Sequence, residues 1–103
     1  MKNKKIEGYW YSEYEVQYPM PEPNVLTDDE AKKIYELIKK KEENAKANRY
    51  KGFTTSRITG EYMGSTEFET DEWIWPADFA PHYVLKHKVK PTPEFLEYIG
   101  YGE

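Results

Sequence analysis

The sequence predicts an α+β fold: a small antiparallel sheet of about four strands packed on one long helix, with two short C-terminal helices. Two changes in periodicity support this prediction. A segment with helical spacing follows an alternating one, and the period returns to two after Gly52. The chain has 103 residues, which predicts a single domain spanning residues 1–103.

The first predicted strand covers residues 6–18, where apolar and polar side chains alternate. Successive side chains of a strand point to opposite faces. The even positions, including Trp10, are mostly apolar, and the odd positions are mostly acidic. This register places Trp10 in the core. It places Tyr9 and Tyr11 on the polar face, where they are candidate contacts for a partner.

The long helix is predicted from about Asp28 to Asn48. Thr27-Asp-Asp-Glu30 has the spacing of a capping box, in which Thr27 caps the helix and Glu30 bonds back. The apolar stripe that follows is narrow, and lysines occupy the opposite face.

Short strands are predicted over residues 53–58, 66–70 and 73–75, because turn residues separate these β-type segments. Asp78 is a candidate cap for a short helix that runs to about His87. Thr92-Pro93 begins a last short helix, and Gly100 ends it.

Composition excludes several classes of site. The chain contains no cysteine, which rules out disulfides, a thiol nucleophile and a cysteine-ligated zinc site. No window approaches the ~20 apolar residues of a membrane span, and the first residues lack the apolar stretch of a signal peptide. A cytoplasmic protein without membrane contact is expected.

Charge is unevenly distributed along the chain. Residues 7–30 contain seven acids and no Lys or Arg, whereas residues 32–51 contain eight bases and three acids. Such asymmetry either marks ordinary solvated faces or steers association with a partner of matching polarity.

Neither histidine predicts a metal site. His82 and His87 are five residues apart, which in an α-helix separates them by about 140°, and two histidines are too few for a closed zinc site. We therefore predict no metal and no cofactor. Acids are numerous, but no catalytic sequence motif is present, so we predict no catalytic residues.

The C-terminal half resembles a group of small uncharacterised bacterial and phage proteins. Ser56-Arg-Ile-Thr-Gly60, Trp75-Pro76 and His82-Tyr83 with His87 are similar to their Cys-x-x-Cys-Gly, Trp-Pro and His-Tyr-x-x-x-His pattern, which is zinc-finger-like. Ser56 and Thr59 stand where that pattern has cysteines. Because hydroxyls are poor zinc ligands beside thiolates, the resemblance implies a knuckle held by hydrogen bonds and aromatic contacts.

These features predict a binding surface where residues 56–60, residues 73–75 and the His82–His87 helix converge. Its predicted members are Arg57, Trp73, Trp75, His82, Tyr83 and His87, with Tyr9 and Tyr11 as further aromatic contacts. Arg57 is the only Lys or Arg between Lys51 and Lys86. The alternative is that the same residues complete the core.

The leading functional hypothesis is a non-catalytic binding module, possibly inhibitor-like, that docks on a partner protein or sequesters a small ligand. The resemblance adds a phage or accessory bacterial context. One alternative is a nucleotide or nucleic-acid binder that uses the Lys-rich helix and aromatic stacking, although the acidic balance disfavours nucleic acid. The other is a small enzyme using His82 or His87 with a carboxylate. The oligomeric state stays open.

Overall fold

A computed structural model describes residues 4–10 and 16–102, with the backbone alone for residues 50–54. The protein has the predicted α+β class. Its elements in chain order are β1 (Lys5–Ile6), α1 (Asp28–Glu42), β2 (Lys46–Thr55), β3 (Tyr62–Glu69), β4 (Trp73–Pro76), a π-helix (Phe79–Lys86) and α2 (Pro93–Ile99).

The sheet has four strands in the order β1-β4-β3-β2. The β2–β3 and β3–β4 pairs are antiparallel, as predicted, but β1 lies parallel to β4. The sheet is therefore mixed. The parallel pair joins strands that are far apart in the sequence, which no turn signal could indicate. At this pair, the Lys5 N–H donates to the Glu72 carbonyl at 3.0 Å.

The predicted first strand is much shorter than expected. Among the described residues up to Tyr18, only Lys5–Ile6 form a strand, and the alternation is reversed at its end, because Ile6 is 39% exposed and Glu7 only 4%. Gly8 adopts a φ of 77°, and a Cβ there would lie 2.5 Å from Phe79 Cδ1. This left-handed conformation ends the strand. Residues 11–15 lie outside the described residues.

Helix α1 begins as predicted and ends earlier. Glu30 N–H donates to Thr27 Oγ1 at 3.2 Å, and Thr27 N–H donates to Glu30 Oε1 at 2.9 Å, which confirms the capping box. The helix ends at Glu42 rather than Asn48, because residues from Lys46 onward pair with β3. Sheet pairing overrides local helix propensity at these positions.

The core lies between β4, α1, the π-helix and α2. Ile34 and Ile38 of α1 are fully buried, as are Trp75, Phe79 and Phe95. Trp10 is half-buried against this core, with its ring centroid 5.3 Å from that of Tyr83. Within the described part of the chain, no helix combines the length and apolar character that crossing a membrane requires.

The C-terminal elements differ in one respect from prediction. Residues 79–86 form a π-helix, and the Asp78 side chain does not cap it, because Asp78 itself has helical dihedral angles. Helix α2 begins and ends as predicted. Phe95 N–H donates to Thr92 Oγ1 at 3.4 Å, and Gly100 adopts the left-handed conformation.

Candidate functional site

A tight turn, residues 56–61, connects β2 to β3; we call it the knuckle. Ser56 N–H donates to the Glu61 carbonyl at 2.8 Å, and Gly60 N–H donates to the Ser56 carbonyl at 2.9 Å. Gly60 has a φ of 79°, which favours glycine. Thr59 Oγ1 accepts the Glu61 N–H at 3.2 Å. The turn is thus fixed from within by backbone and side-chain bonds.

Ser56 is the hub of the knuckle. Its Oγ accepts the N–H groups of Ile58 and Thr59, each at 3.1 Å, and lies 2.8 Å from His82 Nε2. A hydroxyl offers two acceptor positions and one proton. The Tyr83 hydroxyl also forms a hydrogen bond with the Ser56 hydroxyl, so Ser56 joins the turn, His82 and Tyr83 in one hydrogen-bond cluster.

The surroundings of His82 favour its neutral form. Its side chain is buried, and burial lowers its pKa below the ordinary value of a histidine; the nearby His87 lowers it further, while Glu61 acts in the opposite direction. Removing a charged imidazole from water is costly. Burial thus favours the neutral imidazole, which bonds to Ser56 Oγ through Nε2.

The two histidines lie side by side, which corrects the predicted separation of 140°. In the π-helix, His87 N–H donates to the His82 carbonyl at 3.1 Å, and this five-residue repeat puts both side chains on one face. Their ring centroids are 4.6 Å apart. His87 Nε2 is buried without a hydrogen-bond partner.

No metal-binding cluster is evident in the described ranges 4–10 and 16–102, since no three His, Asp or Glu side chains are placed to hold an ion. The groups nearest to a ligand set are His82, His87 and Ser56. His82 Nε2 is already hydrogen-bonded to Ser56 Oγ, and Thr59 Oγ1 accepts a backbone N–H.

Tyr83 and Arg57 join the knuckle to the π-helix in different ways. Tyr83 is 2% exposed, and its hydroxyl oxygen accepts the Arg57 N–H at 3.1 Å. Burial raises the pKa of Tyr83 above the ordinary value of a tyrosine. Arg57 directs its side chain into solvent. Tyr83 therefore positions the knuckle, and of these two residues only Arg57 can contact a partner.

Trp73 and Trp75 belong to the core and not to an exposed aromatic corner, which corrects the predicted convergence. They share one face of β4, as predicted, but are 5% and 0% exposed. Helix α2 covers that face, with Phe95 stacked edge-on at 5.1 and 5.5 Å from the two rings. Trp75 Nε1 donates to Glu42 Oε2 at 2.9 Å.

Tyr9 contacts β3 rather than the knuckle. Its ring is half-buried, and its hydroxyl donates to Glu67 Oε1 at 2.7 Å. Tyr11 lies outside the described residues. Of the predicted site, the structure thus brings together Arg57, His82, Tyr83 and His87.

Two features of the surface were not predicted. The exposed ring of Tyr62, at 64%, follows the knuckle directly. A mixed-charge groove lies between α1, the β3–β4 turn and α2, and its lining includes Lys40, Lys41, Lys46, Glu69, Asp71, Glu72 and Tyr98. The Ser-x-x-Thr-Gly spacing could have identified the knuckle as a side-chain-capped turn; no local signal marks the groove.

Comparison of the chain with protein-family models, curated proteins and solved structures finds no match.

Proposed function

We propose that this protein is a non-catalytic binding module that docks on a partner protein through the outer face of the knuckle. The observation that carries the proposal is the orientation of the knuckle side chains. Ser56 and His82 point inward and are 3% and 8% exposed, whereas Arg57 and Glu61 are exposed. The groups suited to chemistry are enclosed, and those suited to contact face solvent.

The hydrogen bonds of Ser56 argue against a nucleophile. A catalytic serine needs an accessible Oγ with free lone pairs, together with donors aimed at the oxygen of a bound substrate. Here the Ile58 and Thr59 N–H groups are aimed at Oγ itself. The Ser56–His82 pair therefore holds the turn in shape.

The outer face of the knuckle suits a protein partner. Arg57 and Tyr62 are residue types that dominate binding hot spots. The turn that carries Arg57 is already fixed by its internal bonds, so little conformational entropy is lost on binding. The mixed charge of the groove beside α1 favours a protein over nucleic acid, which needs a basic surface. We place the protein in the cytoplasm, because small secreted domains commonly depend on the disulfides that this chain lacks.

Affinity capture from a lysate of the source organism tests the proposal. The bait proteins are the wild type, Arg57→Ala, Tyr62→Ser and the control Lys33→Ala on the exposed face of α1. The partner that the wild type captures is then purified, and its affinity is measured by calorimetry.

We expect both knuckle variants to weaken binding at least about tenfold, as loss of a hot-spot contact does, with stability changed by less than ~1 kcal/mol. Lys33→Ala should bind like the wild type. Normal binding by both knuckle variants, or turnover of a substrate that Ser56→Ala abolishes, would contradict the proposal.

A further inference from the structure

The outer edge of β2 is the most extended backbone surface of the sheet. Strand β2 is the last strand in the order and has ten residues; its register with β3 is regular over Lys46–Arg49 and shifts between Arg49 and Thr54. Its pairing partner is β3, and among the described residues no strand pairs with its other side. An open edge presents N–H and C=O groups that can pair with a further strand.

The β2 segment and the knuckle after it are rich in basic residues. Residues 45–60 contain Lys46, Arg49, Lys51 and Arg57 and no acid. The register sets Glu69 of β3 opposite Lys46, but the residue opposite Arg49 is Thr66. The exposed Arg49 guanidinium is therefore not neutralised by its direct cross-strand neighbour. A strand added here would be favoured if it carried acids.

We propose that the β2 edge binds an extended acidic segment of a partner protein as an additional strand. This inference rests on the proposed function, and it names the chemistry of the partner. Backbone bonds would supply affinity, and the basic side chains would select acidic sequences. A second copy of the chain fits poorly, because two β2 edges would bring bases together with no acid from either.

The edge continues directly into the proposed docking face. Thr55 is the last residue of β2, and the knuckle follows at Ser56. Thr55 also lies opposite Tyr62 in the sheet. A partner segment that pairs with the regular part of β2 and continues past the register shift would approach Arg57, so a single acidic segment can use both surfaces.

Nuclear magnetic resonance titration with a defined peptide tests the inference. The probe is a capped eight-residue peptide of alternating glutamate and threonine. The controls are an alternating lysine–threonine peptide and the acidic peptide N-methylated at alternate residues, which keeps its charge but removes donors that strand pairing needs. We expect amide shifts along residues 46–55 with the acidic peptide and none with either control.

Charge reversal on the protein provides the second measurement. Arg49→Glu should weaken the acidic peptide about tenfold, because it replaces an attraction by a repulsion. Lys33→Glu makes the same charge change on α1 and should leave the affinity unchanged. Equal binding of the N-methylated peptide would overturn strand addition. Binding of a single-stranded oligonucleotide but not of the acidic peptide would overturn the assignment in favour of nucleic acid.

The two proposals fail in different ways. If a captured partner depends on Arg57 and Tyr62 but not on Arg49, strand addition is wrong and docking through the knuckle stands. If the acidic peptide binds along β2 while the knuckle variants capture the partner normally, the docking face is wrong and the edge site stands.

Discussion

Replacing Ser56 by alanine removes the atom on which the knuckle depends. The Oγ of Ser56 accepts two backbone N–H groups and lies 2.8 Å from His82 Nε2. Alanine fits the space of serine, but it leaves the two N–H groups and the His82 nitrogen without the hydroxyl. Because Ser56 and His82 are 3% and 8% exposed, water cannot readily reach the His82 nitrogen in place of the hydroxyl.

The expected cost follows from these bonds. The His82 nitrogen is buried, and leaving it unpaired costs about 1–3 kcal/mol. The N–H groups of Ile58 and Thr59 belong to half-buried and exposed residues, so water can partly replace the hydroxyl at roughly 0.5 kcal/mol each. We expect Ser56→Ala to lower the free energy of unfolding by about 2–4 kcal/mol and the melting temperature by roughly 10–20 °C.

Thr59→Ala is the matched control, because it removes a single exposed bond within the same turn and should cost less than ~1 kcal/mol. Chemical denaturation measures both values. Nitrogen-15 resonances of His82 report the Ser56–His82 bond, and they should change in Ser56→Ala and stay the same in Thr59→Ala. Equal stability of the two variants, or His82 resonances in Ser56→Ala that match the wild type, would refute the reasoning.

Three further substitutions test other contacts by denaturation. Gly8→Ala should cost about 3 kcal/mol, because it combines left-handed strain with overpacking against Phe79; a neutral result would exclude that close approach. Burial raises the pKa of Asp78 from 3.8 to about 6, so above that pH the folded protein holds a buried carboxylate whose desolvation costs stability, whereas the unfolded chain keeps it in water. Asp78→Asn should therefore stabilise by about 3 kcal/mol above pH ~7 and have little effect below pH ~4; a pH-independent difference would contradict the shift. Glu42→Ala removes the acceptor of Trp75 Nε1 and should cost about 1–3 kcal/mol; no loss would mean that the bond contributes nothing.

The starts of α1 and α2 were predictable because their capping signals are local. The capping box joins Thr27 to a residue three positions away, and Thr92 caps α2 in the same way. Such bonds depend on the spacing along the chain and on backbone geometry within one turn. The same holds for Gly100, whose left-handed conformation ends α2.

The first strand was not predictable, because a distant contact decides its register. Glu7 reads as a solvent-facing acid in the alternating pattern. In the structure its carboxylate accepts the Thr92 N–H at 2.8 Å and the Thr92 hydroxyl at 2.9 Å. These bonds offset the cost of burying the carboxylate, although burial raises the pKa of Glu7 above the ordinary value of a glutamic acid. Periodicity cannot show a partner 85 residues away.

The arrangement of the histidines was missed because an α-helix was assumed. At 3.6 residues per turn, residues five apart diverge; the π-helix brings them together. The Asp78 carbonyl accepts the His82 N–H at 3.0 Å and the Tyr83 N–H at 3.4 Å. The four-residue hydrogen-bond pattern of an α-helix and the five-residue pattern of a π-helix therefore compete at the first turn. Sequence propensity does not separate these two helices, whereas packing around His82 does.

The knuckle also fixes one end of β2, the edge strand to which a partner strand is proposed to bind. An isolated edge strand is free to twist, and ordering it would consume part of the affinity of any added strand. Here the end of β2 is joined to the core through Ser56 and His82, and through the Arg57 N–H and the Tyr83 hydroxyl. These bonds fix where β2 ends relative to the π-helix. A partner strand would therefore meet an edge that is already positioned at its knuckle end, where Arg57 is exposed.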